Sequence, residues 1–280
     1  LPAADFPDLP FFELPEDHVW MTVTKVDCNW LQGVEGALDS AHVGTLHQSW
    51  VPRLAASTSP AGGTIALALK AVAPRYEIDR TPFGLSATAL RVLADDSTYV
   101  RTTQFVAPFI NLVPGSGRNE GSIFIGVPID DTHHLLFFGY FSESFAIGEA
   151  TPRVQALIGN GRVERHDFAP FNGSREDNWG QDRVAMSAGH FTGFTGNLLE
   201  EDIVVQVSMG AIADRTREHP SSSDVAIVQM RMMLLRALRN HQEGAPPLAP
   251  HHGPWSGSDA RPVDRVVPAG QDWRSVPESA

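Results

Sequence analysis

An α+β fold is predicted for this chain, with helices on one side of an antiparallel sheet. Three observations carry the prediction: the middle of the chain breaks into short apolar or alternating runs, helical patterns flank them, and no internal repeat is present. The 280 residues are 42% hydrophobic, with 24 glycines and 21 prolines, enough to bury a substantial core with many loops, and one domain is the default.

Taken in order, residues 1–15 are proline-rich and read as a linker. Residues 16–243 read as the domain and 244–280 as a tail. Strands are expected over Ile65–Val72, Leu85–Leu93, Thr98–Val106, Ser122–Ile129 and His134–Phe141, each bounded by Gly, Pro, Asp or Asn. Arg153–Ile158 follows Thr151-Pro152 and reads as a short helix. Residues 159–194 form a long polar stretch; loops of that length are usually functional or disordered, and an active-site cover is the expectation. Asn197 predicts a helix cap with Glu200 as its third residue in a capping box, and Leu199, Ile203 and Val207 follow helical spacing. Ser221–Asp224 starts the clearest helix, with an apolar face of Ile227, Met230, Met233, Leu234, Leu235 and Leu238, and Arg236, Arg239 and His241 near its end. From Gly244 onward, prolines among Gly, Ser and Asp predict an extended or disordered tail.

Composition excludes several classes. The net charge of −12, without any Lys/Arg cluster, disfavours nucleic acid and anionic membranes as partners. One cysteine, Cys28, rules out an internal disulfide framework, and no apolar run reaches the ~18 residues of a spanning helix. A cytoplasmic location is expected.

The chemistry concentrates between Asn29 and His47. On a helix of about 3.6 residues per turn, Glu35, Asp39 and His42 share one face. His47 sits roughly 140° off that face unless the helix loosens, and Gly44 stands where a break or π-bulge is tolerated. The spacing therefore argues for convergence on a metal. Two neutral imidazoles and one carboxylate make the facial triad of non-haem Fe(II), but also serve hydrolytic zinc, so residue types leave both open. Asp39 is spaced to accept the second ring N–H of His42 and fix its tautomer. A capped surface helix carrying incidental histidines is the other reading.

The run N-W-x-Q-x-x-E-G-x-x-D-x-x-H-x-x-x-x-H over 29–47 resembles the mononuclear iron segment of Rieske non-haem iron oxygenases, closest to the phthalate dioxygenase-like subfamily. Met209–His219 with Ser223–Ile227, Asn178–Arg183 and Phe191–Gly193 resemble further blocks of that subfamily, and the likeness spans roughly residues 15 to 240. The resemblance implies a curved antiparallel sheet of helix-grip type around a long helix and an apolar cavity. It implies Fe(II) held by His42, His47 and an aspartate in an acid-rich helix start, for which Asp202 in Glu200-Glu201-Asp202 is the choice; residue chemistry alone does not prefer Asp202 over Glu201. Asp39 takes the catalytic role of bridging an iron-ligating histidine to the Rieske cluster of a neighbouring subunit. The implied reaction is hydroxylation of an aromatic ring or oxidative O-dealkylation with O2. Electrons come from NADH or NADPH through a flavin or ferredoxin reductase, and the implied assembly is a homo-oligomer, expected to be a trimer.

The sequence departs from that family in one respect. A Rieske [2Fe–2S] centre uses two cysteines and two histidines, and this chain has one cysteine, so the expectation is a catalytic portion, inactive alone, whose N-terminal Rieske domain belongs to a longer subunit or stands on another chain; a stand-alone domain that has lost its electron supply and keeps only a ligand pocket is the third possibility. A zinc-dependent hydrolase and a helix-grip carrier of hydrophobic ligands remain the rival classes. His133-His134 is expected at a turn or sheet edge, His251-His252 in solvated tail, and His219 receives no chemistry. Phe105, Phe109, Phe124, Phe137, Phe138, Phe141 and Phe145 are core before they are pocket. Asn29 and Gln32 could orient the metal segment or be ordinary polar residues of a helix start.

Overall fold

The computed structural model describes residues 9–58, 63–115, 119–147, 173–246, 248 and 257–275. Its centre is an open antiparallel sheet in the order β1-β7-β6-β5-β4-β3-β2, with an eighth strand joined to β4. The strands are β1 Val19–Val26, β2 Arg75–Thr81, β3 Gly84–Val92, β4 Thr98–Val106, β5 Ile110–Pro114, β6 Glu120–Asp130, β7 His133–Ser142 and β8 Val263–Val267. The helices are α1 Trp30–Leu38, α2 Val51–Thr58, α3 Arg183–Ser187, α4 Leu198–Ser208 and α5 Val225–Gln242. This is the predicted α+β class.

The long central strands fall where the alternating runs put them. Thr98–Val106 is β4 residue for residue, pairing along its length with β3 from Gly84↔Val106 to Val92↔Thr98. Four strands lacked a clear signal. In β1 the fully buried side alternates through Trp20, Thr22, Thr24 and Val26, so threonines occupy core positions. The edge strand β2 is mostly charged, a usual protection of an edge, and β5 is only five residues long.

The predicted strand at 65–72 is corrected to a 3-10 helix, Thr64–Leu69, which buries Ile65 and Ala68 three residues apart. A short apolar run does not by itself distinguish strand from buried helix. The disordered-tail reading is also corrected: β8 pairs with β4 from Thr98↔Val267 to Thr102↔Val263. Its Asp264 meets Arg101 at 2.7 Å with both side chains buried, an ion pair that no local pattern announces. Arg153–Ile158, residues 159–172 of the long loop, and His251-His252 lie outside the described residues.

Helix α1 packs on β5, β6 and β7, with α4 and α5 also against it. Gln32 ties these elements together, donating to the carbonyls of Gln206 (2.8 Å) and Gly210 (3.1 Å) and accepting from Ala213 N (2.9 Å). Helix α5 begins after a capping box at Ser221 and Asp224. Its buried face is narrower than predicted: Ala226 and Met230 are buried, whereas Leu235 and Leu238 are half exposed. His133 pairs with Asp130 at the turn, as expected. His134 departs from the edge reading: it is fully buried and donates from Nδ1 to the Cys28 carbonyl at 2.8 Å.

Candidate metal centre

Asn29 caps α1 by accepting from Leu31 N, and the helix ends at Leu38 rather than running on. Asp39 is extended there (φ −71°, ψ 127°) and its carboxylate collects the amides of Ala41 (2.8 Å) and His42 (2.9 Å) and the hydroxyl of Tyr76 (3.0 Å). The chain then turns through a 3-10 segment, His42–Gly44, and a following turn in which Trp50 N donates to the His47 carbonyl. This corrects the continuous or bulged helix: the five-residue spacing is closed by turns. Gly44 is required for a different reason, since a Cβ there would collide with the Ala68 carbonyl.

With the helix ended, Glu35 leaves the metal face. Its carboxylate binds Arg215 (2.7 Å) and Arg231 (2.6 Å), and both arginines also hold Glu218. The acid of the first motif and Arg215 and Glu218 of the later block thus share one ion-pair network with Arg231, which pins α5 to α1.

The two imidazoles meet α4 at its acidic first turn. Asn197 accepts from Glu200 N at 3.0 Å, as predicted, while the Glu200 carboxylate reaches Gly196 N, one residue before the expected capping-box partner. His47 Nε2 lies 3.0 Å and His42 Nε2 3.5 Å from Asp202 Oδ1. The ring centroids are 5.0 Å apart at 77°, and one ligand atom from each of His42, His47 and Asp202 lies within 4.8 Å of the others. It is the one such group among the described residues.

Each ring is braced from behind. His42 Nδ1 faces Asp39 Oδ2 at 3.2 Å, and His47 Nδ1 donates to Glu201 Oε2 at 2.6 Å. Burial pushes the Asp39 carboxyl up, but the His42 ring and the two amides outweigh it and hold it at about 2. Burial likewise favours neutral His47, yet Asp202 and Glu201 raise its pKa to about 9. Both Nε2 atoms face one carboxylate while both Nδ1 atoms are committed to other acids, so the tautomers suit a divalent first-row metal held by N, N and O donors. The role of Glu201 was missed. Its only signal in sequence is adjacency: residues 201 and 202 differ by about 100° around the helix, so one reaches behind a ring and the other in front of it.

The centre opens on a cavity lined by Val43, Val51, Leu54, Leu136, Phe124 and Phe138, with Arg101, Ser122 and Tyr140 also in its wall. Two of the seven phenylalanines considered line it; Phe105 and Phe141 are buried core and Phe145 is substantially exposed. The lone Cys28 is buried, and burial with the Asp27 charge pushes its thiol up to about 12.

The family model described as LigXa C-terminal domain like matches residues 2–280. The chain belongs to that family. It is 36% identical over 239 residues (82% of this chain, 53% of the relative) to the phthalate 4,5-dioxygenase oxygenase subunit of Pseudomonas putida. It is 28% identical over 251 residues (85% and 57%) to the 3-chlorobenzoate-3,4-dioxygenase oxygenase subunit of Comamonas testosteroni. To the 5,5'-dehydrodivanillate O-demethylase oxygenase subunit of a Sphingobium species it is 26% identical over 249 residues (89% and 50%). The likeness drawn from the 29–47 motif therefore stands, and the chain spans about half the length of the curated relatives it matches.

Proposed function

We propose that this chain is the mononuclear iron catalytic portion of a Rieske-type oxygenase that hydroxylates an aromatic ring or removes an O-alkyl group. The observation that carries the reading is the convergence of His42, His47 and Asp202 beside an apolar cavity. The named relatives are oxygenase subunits, which favours this reading over a zinc hydrolase or a carrier.

In this reading His42 Nε2, His47 Nε2 and the Asp202 carboxylate hold Fe(II), which when bound supplies one-electron chemistry toward O2 with positions left for it. The apolar wall of Val43, Leu54, Phe124 and Phe138 holds an aromatic substrate and keeps bulk water from the centre. Asp39 fixes the His42 tautomer and, being partly exposed, is the point at which reducing equivalents reach the ligand set from a neighbouring Rieske domain. That cluster belongs to another domain or subunit and is itself reduced from NADH or NADPH through a flavin or ferredoxin reductase. A homotrimeric ring and a cytoplasmic setting complete the reading; no helix among the described residues is long and apolar enough to cross a membrane.

The test is direct. The chain is loaded anaerobically with Fe(II) and given a chemical reductant, labelled O2 and a panel of benzoates and methoxylated aromatics. Labelled hydroxyl product or demethylation, lost in His42→Ala, His47→Ala and Asp202→Ala, is the expected result. Product formed without O2 by the zinc-loaded chain would instead mark a hydrolase.

A further inference from the structure

Glu201 carries no ordinary surface role. Its side chain is fully buried at the first turn of α4, where an unpaired carboxylate would be costly, and both oxygens are committed. One accepts from His47 Nδ1 at 2.6 Å; the other accepts the Thr192 hydroxyl. Thr192 belongs to the segment 181–194, whose fold is tied back onto the turn that carries His47. Phe191 N donates to Ser49 Oγ at 2.8 Å, Trp50 Nε1 donates to the Phe194 carbonyl at 3.2 Å, and Asp182 N donates to the Gly193 carbonyl at 3.0 Å. Thr192 reaches Glu201 while that segment is seated.

The other ring is braced differently. Asp39 takes its hydrogen bonds from its immediate neighbours Ala41 and His42 and from Tyr76 on β2, with no contribution from the 181–194 segment. Among the described residues, only one of the two imidazoles is therefore mechanically linked to segment 181–194.

We propose that Thr192 and Glu201 are positioning residues that couple the seating of segment 181–194 to the affinity of the metal centre. The proposal rests on the metal reading above and goes beyond it. Glu201 holds the His47 proton on Nδ1 and so presents Nε2 to the metal; Thr192 holds Glu201. Coupling of this kind is reciprocal, so a metal on His47 also stabilises the seated segment, and loosening the segment weakens the metal by the same factor. The device makes completion of the ligand set and closure of this flank one event, with His42 and Asp39 left free of it.

The experiment uses the full 280-residue chain and two probes, Fe(II) under anaerobic conditions and Co(II). Affinity is read by chelator competition, ligand geometry by the Co(II) visible spectrum, and the segment by amide hydrogen exchange with and without metal. Glu201→Gln keeps an acceptor and loses the charge; it should weaken binding about tenfold and shift the Co(II) bands, and Glu201→Leu should weaken it about 100-fold. Thr192→Val, nearly isosteric, should weaken binding several-fold and erase the metal-dependent protection of residues 181–194; it decides the matter should Glu201→Leu fail to fold. Wild-type affinity in Glu201→Gln and Thr192→Val, or exchange of 181–194 in the wild type that ignores the metal, overturns the coupling alone. A wild-type chain that takes up neither metal overturns the metal reading and the coupling together.

Discussion

Two polar clusters line the cavity, and they are built in opposite ways. In one, His42, His47 and Asp202 bring two ring nitrogens and a carboxylate toward one point, with the charge bias set by three acids, Asp39, Glu201 and Asp202, around two imidazoles. In the other, Arg101 spends its donors inside the protein: on Asp264 (2.7 Å), Tyr99 Oη (3.1 Å) and the carbonyls of Pro114 (2.7 Å) and Gly115 (3.1 Å). Burial disfavours the charged guanidinium, but Tyr99 and Asp264 outweigh it and push its pKa up. The first sets two Nε2 atoms against one carboxylate, an arrangement in which a cation can take the place of the His47 proton. The second is a staple joining β4 to β8. A buried polar cluster signals ligand chemistry when several metal-ligating atoms converge on one point, and structure when its donors are spent on carbonyls and a fixed carboxylate.

The sharpest break of the comparison is His47→Ala, which should abolish metal uptake, read as metal content after dialysis, and lower the melting transition of the metal-free chain by leaving the buried Glu201 carboxylate without its ring partner, with the β4–β8 staple untouched. Retained metal would remove the contrast. Asp39→Asn separates holding from using: metal content is kept, with affinity lowered by no more than about tenfold, while turnover driven by the proposed [2Fe–2S] electron donor is lost. Unchanged turnover would deny Asp39 its role at the entry to the site. In the Arg101 cluster, Asp264→Ala leaves the buried guanidinium without its carboxylate and should cost about 3–5 kcal/mol in urea unfolding, with metal affinity preserved. A loss below about 1 kcal/mol would show that Arg101 relaxes into the cavity and is available to ligands.

The smallest effect is graded with pH. His47 of the metal-free protein has its pKa raised to about 9, so at pH 7 it carries a proton that the metal must displace. Affinity should rise about tenfold per pH unit toward 9 and flatten beyond it, checked by chelator competition across that range. The sign for the metal-free fold is opposite. The stabilisation from protonated His47 is fully present below the ordinary value of 6.5 and is lost as pH rises through about 9. A flat affinity profile would mean that His47 is already neutral without metal.

Much of this was legible before any coordinates. The strands marked by short apolar or alternating runs, the Asn197 cap and the Ser221 start all express local chemistry, which sequence records directly. The 29–47 spacing marked both imidazoles and the bracing Asp39, and the family likeness singled out Asp202. Other parts were not legible. Nothing local distinguishes Glu35, which ends in an arginine network, from Glu201, which ends behind the His47 ring. The proline-rich composition around β8 hid a strand whose stability comes from Asp264 meeting an arginine more than 160 residues away.

By itself, the sequence determined which residue types were available to a metal and which runs would alternate in a sheet, because both depend on neighbours a few positions apart. Only the tertiary structure decided which acid stands before a ring, which behind it, and which elsewhere. Those choices are made where helix α1 ends and α4 begins, and side-chain direction there is set by packing between distant segments.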